Sequence, residues 1–104
     1  MVPRWVQLLL SSMQARWNGT VIAESDDIVM LEGNAYFPLS ALRMEFFQDS
    51  DHTSSCGWKG TCRYWDAVVD GQVNANCAWS YETPKPAAAE IATRVAFWKG
   101  VQVS

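Results

Sequence analysis

Two dipeptides constrain the fold of this chain more than any other feature. Asn18-Gly19 separates the alternating run Met13-Gln14-Ala15-Arg16-Trp17 from its return, Thr20-Val21-Ile22-Ala23-Glu24; Asp70-Gly71 separates residues 62–69 from 72–81. A two-residue type I′ turn needs positive φ at both central positions, which Asn or Asp followed by Gly tolerates, and its twist matches that of paired antiparallel strands. Each pair therefore predicts a hairpin. Ser25-Asp26-Asp27 and Gly33-Asn34 read as further turns around strands at 28–32 and 35–37, the second stopped at Pro38. The first third of the chain thus predicts a meander of short strands.

Helical spacing occurs twice. Ser40 is placed to cap a short helix through Phe47, with Leu42 and Phe46 on one side. Pro84-Lys85-Pro86 opens a C-terminal helix on which Ala88, Ile91, Val95 and Trp98 share a face; Lys99-Gly100 ends it before a closing strand at 101–103. Residues 48–61 are polar and aperiodic, and a loop of that length in a compact domain is usually functional or disordered. With 104 residues there is material for a single modest core. The expectation is an α+β, β-dominated domain over residues 13–104, with one short and one C-terminal helix.

Residues 1–12 carry Arg4 and then Trp5-Val6-Gln7-Leu8-Leu9-Leu10, too short and too interrupted an apolar run for a signal peptide. They read as an N-terminal extension that packs on the domain or forms a homodimer contact, the two being equally open. A net charge of -3 disfavours a nucleic-acid polymer as partner, and no apolar run approaches a membrane span. Cys56, Cys62 and Cys77 are odd in number and form no Cys-x-x-Cys knuckle, which suits reduced thiols in the cytoplasm.

His52, the single histidine, stands four residues before Cys56 and seven before Lys59. An imidazole, a thiol and an ammonium brought together would favour thiolate and make a nucleophile arrangement with His52 and Cys56 as catalytic groups. The plainer alternative has Asp51 and His52 bonding their own loop backbone while Cys56 packs beneath; it outweighs catalysis because no spacing shows a residue that orients the histidine. His52, Cys56, Cys62 and Cys77 have ligand types suited to zinc but no recognised spacing, so neither a metal nor another cofactor is expected. Asp26-Asp27 reads as a turn former, and Gly57-Trp58-Lys59-Gly60 is no P-loop.

Six tryptophans exceed what one small core needs, and Trp58, Tyr64, Trp79 and Tyr81 cluster around the polar loop and the second hairpin. Rings along a groove stack on a flat ligand or cage a cation, while Arg43 and Lys59 are suited to holding a carboxylate or phosphate. Trp79 and Trp98 read equally well as core residues. The expected function is binding a small polar or nucleotide-like molecule, with action upon that molecule left open. Its groove would lie between residues 51–60 and the hairpin around Trp79, with Arg43, Asp51, Lys59, Tyr64, Trp79 and Tyr81 as the ligand-binding set. The alternatives are an enzyme, by nucleotidyl transfer or by thiol chemistry at Cys56 and His52, or a plain protein-interaction module.

Five blocks in one order carry a resemblance: Trp17-Asn18-Gly19-Thr20-Val21-Ile22-Ala23-Glu24-Ser25; Tyr36-Phe37-Pro38; Ser50-Asp51-His52-Thr53 with Cys56 and Lys59-Gly60; Ala78-Trp79-Ser80-Tyr81; and Val95-Ala96-Phe97-Trp98-Lys99-Gly100-Val101. From Met13 to the C-terminus the chain resembles the small bacterial family called domain of unknown function 427. The resemblance implies folded-over antiparallel sheets similar to the Mss4-like or β-tent proteins, with a groove where the sheets meet, and it brings a catalogue label of nucleotidyltransferase. Family members often carry Pro where this chain has Gly57, and Ala where it has Cys62 and Cys77, so those two thiols look local to this protein.

Overall fold

Both predicted turns form as the dihedral argument requires: φ is 50° and 73° at Asn18 and Gly19, and 52° and 76° at Asp70 and Gly71. The computed structural model describes residues 12–104. Its strands are β1 (Met13–Trp17), β2 (Thr20–Ser25), β3 (Val29–Leu31), β4 (Asn34–Tyr36), β5 (Phe47–Cys56), β6 (Gly60–Val69), β7 (Gln72–Ser80), β8 (Val95–Phe97) and β9 (Gln102–Val103). They pair as a three-stranded sheet β2-β1-β9, a ribbon β3-β4 and a four-stranded sheet β5-β6-β7-β8, antiparallel throughout. The N-terminal extension, apart from Ser12, and with it the expected packing or dimer contact, lies outside the described residues.

The four-stranded sheet is apolar on both faces, and each face has its own partner. Trp65, Ala67, Val69, Ala78, Val95 and Phe97 pack on Ala15, Ile22, Ala23, Phe37 and Leu42 to form the larger core. Successive residues of a strand point to opposite sides, so Cys62, Tyr64, Tyr81 and Ala96 face the other way. There they meet Tyr36, Ala88 and Ile91, flanked by Val29 and Leu31 of the β3-β4 ribbon. The chain passes between the cores at Tyr36 and Phe37: both are fully buried, one in each core, and Phe37 exchanges two backbone hydrogen bonds of 2.8 Å with Val95.

Five expectations are corrected. The polar stretch 48–61 is not a loop: β5 runs to Cys56 and a short turn leads into β6 at Gly60. Its periodicity was hidden because the buried-side positions of this edge strand include small polar residues, Ser50 and Ser54, and a polar edge is also how sheets avoid adding foreign strands. The short helix after Pro38 is two 3-10 turns, Leu39–Ala41 and Met44–Phe46, because Leu42 is held extended by a bridge to Ala23 and Arg43 donates its N–H to the Ile22 carbonyl at 2.9 Å. The C-terminal helix is a kinked 3-10 segment, Pro86–Ile91, and Val95-Ala96-Phe97 leaves it to pair with β7. All three residues of β8 are buried, which an amphipathic helix with one apolar stripe would not provide. Lys99 and Gly100, at φ 55° and 85°, form a turn into β9 rather than a helix cap, and the β3-β4 turn is Glu32-Gly33, one residue earlier than expected. Among the described residues no helix is long and apolar enough to cross a membrane.

Candidate functional site

On the second face of the four-stranded sheet, Lys59, Tyr64, Trp79, Tyr81 and Trp98 line a solvent-open hollow of about 140 Å³. Register explains three of them. Tyr64 and Trp79 are opposite partners on β6 and β7, and Tyr81 lies two residues beyond Trp79, hence on the same side. Trp98 arrives from the end of β8. Its backbone N–H donates to the Cys77 carbonyl at 2.9 Å and its indole Nε1 to the Asn76 carbonyl at 2.6 Å. The Trp98 ring stands nearly perpendicular to that of Trp79, with centroids 5.8 Å apart, while Trp79 Nε1 donates to the Tyr36 hydroxyl at 3.2 Å. Each indole is therefore held by a hydrogen bond at its edge and leaves ring surface toward the hollow.

Lys59 supplies the charge. It sits in the β5-β6 turn, which is tied down when Lys85 donates its N–H to the Lys59 carbonyl at 2.9 Å and its Nζ to the Gly57 carbonyl at 2.6 Å. The Lys59 side chain is only 11% exposed, forms an ion pair with Glu32, and lies 5.2 Å from the Tyr81 ring centroid and 5.6 Å from that of Trp58. Burial alone would lower the pKa of this ammonium; the bond to Glu32, with smaller contributions from Tyr36 and Tyr81, outweighs it and holds the amine above the ordinary lysine range. Burial also raises the tyrosines, Tyr81 to about 12, so the hydroxyls around the hollow keep their protons near neutral pH. Cys62 is almost fully buried among them, and burial raises its thiol too.

Of the expected site residues, Lys59, Tyr64, Trp79 and Tyr81 come together. His52 is exposed and packs its ring against Tyr64, centroids 4.7 Å apart, while Ser54 and Tyr64 share a hydrogen bond of 2.9 Å between hydroxyls. Asp51 is exposed beside His52, in a bulge where residues 50–52 oppose Tyr64 alone. Cys56 is half-buried at the end of β5, and four residues of extended strand span about 13 Å, beyond hydrogen-bond reach for an imidazole and a thiol. The expected trio of His52, Cys56 and Lys59 is therefore not assembled as a nucleophile with its base. Arg43 stands apart from the hollow, its guanidinium donating to the Val21 carbonyl of β2 at 3.3 Å. Cys62 and Cys77 belong to opposite cores, and among the described residues no three His, Cys, Asp or Glu side chains gather as metal ligands would.

Two members of the site lie outside the expected binding set. Trp98 falls on the expected helix face, although Lys99-Gly100 after it, a residue followed by Gly like the two hairpin pairs, signals a turn; the strand before it, β8, ends at Phe97. Glu32 had no local signal at all, since its role depends on Lys59, 27 residues away.

No curated protein matches the chain. The family model described as Domain of unknown function (DUF427) matches residues 6–104, nearly the whole chain and all five blocks of the resemblance, and the chain belongs to that family.

Proposed function

We propose that this protein binds a small, flat, polar molecule, of nucleobase size and character, in the hollow formed by Lys59, Tyr64, Trp79, Tyr81 and Trp98. One observation carries this function: four aromatic rings and one buried ammonium, from β6, β7, the β5-β6 turn and the end of β8, converge on a single open hollow. A cavity of this order accommodates one benzene-sized ring. Ring faces offer stacking to any planar ligand, and Lys59 offers N–H donors to an oxygen at its edge. Neither Lys59, held protonated, nor Cys62, held as a neutral thiol, is poised as a nucleophile near neutral pH, so binding rather than covalent chemistry fits this constellation. The position of the hollow, beside the sheet face covered by the β3-β4 ribbon, supports a folded-over arrangement of the β-tent kind. Three free cysteines, two of them buried, suit a reducing compartment and favour the cytoplasm.

The test follows the indole N–H signals of Trp79 and Trp98 by NMR while adenine, uracil and nicotinamide are each titrated to millimolar concentration. At least one should move both signals, and Trp98→Ala, which removes a half-exposed ring rather than a core one, should weaken that binding roughly fivefold or more while circular dichroism stays unchanged. Indole signals unmoved by all three rings would overturn the proposal.

A further inference from the structure

Lys59 meets the hollow already matched by a counter-charge from another element. The Glu32 carboxylate reaches it from the tip of the β3-β4 ribbon, a two-residue turn in a sheet of only two strands. That bond uses one of the three N–H donors of the ammonium, and among the described residues no other acceptor is bonded to Nζ. The two remaining donors lie among rings that line the hollow, close to Tyr81. Charge and hydrogen-bonding capacity are thereby separated: the pair is neutral as a unit but still donates.

Resting on the binding function above, we infer that Glu32 is the specificity-determining residue of the hollow, selecting an uncharged planar ring that carries a carbonyl oxygen over anions and cations of the same shape. A carbonyl accepts from the free donors of Lys59 and leaves the ion pair intact. A carboxylate in that place would face the Glu32 carboxylate across the same ammonium, and like charges brought together at an interface are penalised. A cation would gain from the aromatic faces but would meet Lys59, which already occupies the cation position over Tyr81. Lys99 stands 5.0 Å from the Trp98 centroid on an exposed residue, where solvent screens its charge.

The experiment uses three probes of one shape: nicotinamide, nicotinate and 1-methylnicotinamide, titrated at low ionic strength with the Trp79 and Trp98 indole signals as readout. In the unaltered protein nicotinamide should bind tightest. Glu32→Gln, conservative and on an exposed turn, should shift the nicotinate-to-nicotinamide affinity ratio about fivefold toward nicotinate, the size expected for a half-exposed charge, and should further weaken 1-methylnicotinamide. Lys59→Met, which removes the N–H donors offered to the carbonyl, should weaken nicotinamide about fivefold or more. If nicotinamide binds but the ratio is the same in Glu32→Gln, the role of Glu32 is overturned while the hollow stands as a binding site. If none of the three probes moves the indoles in either protein, the hollow reading falls and this inference with it.

Discussion

Ser80 lies between Trp79 and Tyr81 on β7, so its side chain points away from the hollow into the larger core, where its Oγ has no hydrogen-bond partner among the described residues. A buried hydroxyl without a partner carries a desolvation cost that alanine removes. Ser80→Ala should therefore raise the unfolding free energy in urea by up to about 1 kcal/mol, and a clear loss would mean that the hydroxyl is satisfied in solution. The same alternation explains how much of the site was legible residue by residue. Trp79 and Tyr81 could be placed together from their shared parity alone, whereas the register set by the Asp70-Gly71 turn would put Tyr64 opposite Cys77, and only the bulge at 75–77 moves it to Trp79. Glu32 and Trp98 could not be placed in this way, because what each touches was decided by chain segments far from it in sequence.

At the scale of elements, the feature that shapes the site is a pair of bulges on either side of β6. Residues 50–52 of β5 oppose Tyr64 alone, and residues 75–77 of β7 oppose Asp66 alone. The two are stitched together: Ser50 bonds the Asn76 side chain, Asp66 accepts from the Asn76 N–H at 2.9 Å, and Gln48 donates to the other Asp66 oxygen at 2.9 Å. The β7 bulge also places Cys77 on the same side as Ala78 and offers the Asn76 carbonyl that holds Trp98. Bulges near sites commonly re-aim side chains in this way. Asn76 adopts φ 58°, a left-handed conformation that Asn tolerates better than most residues. Asn76→Ala should cost about 1 to 2 kcal/mol in a urea titration, from backbone strain and the lost side-chain bond, and Asn76→Gly should cost less because only the bond is lost. Equal costs would show that strain at this position is negligible. The helical expectation for 86–98 failed at this scale too. Ala88, Ile91 and Val95 do lie in buried positions at helical spacing, but the β7 edge was free to pair, and pairing Val95-Ala96-Phe97 with it buries all three residues.

For the whole molecule, the raised ionisations all act in the same direction. Burial pushes Cys77 from its ordinary value of 9.0 up to about 11 and Tyr81 up to about 12, and it raises Cys62, Tyr36 and Tyr64; Lys59 is raised by its partners. For each group the unfolded chain gives up its proton at a lower pH than the folded one. The stabilising contribution is therefore complete below the unfolded value and is lost as pH climbs toward the folded value. Cys77 alone accounts for roughly 3 kcal/mol across its interval, by the worth of about 1.4 kcal/mol per unit. Stability measured in urea should be level from pH 7 to 8.5, fall from about pH 9 and keep falling to pH 11; a flat profile to pH 10.5 would contradict the burial of these groups.

The β-dominated antiparallel character of the chain, its two principal hairpins and the shared parity of Trp79 and Tyr81 were legible in the order of amino acids alone. All of these follow from the φ preferences of adjacent residues and from the two-residue period of a strand. That 47–56 is an edge strand, that the segment after Pro86 yields to sheet pairing, and that Glu32 and Trp98 meet Lys59 and Trp79 around one hollow are outcomes of the folded arrangement. These depend on which sheet edges and core faces are left unpaired once the hairpins have formed. No local dihedral preference carries that information.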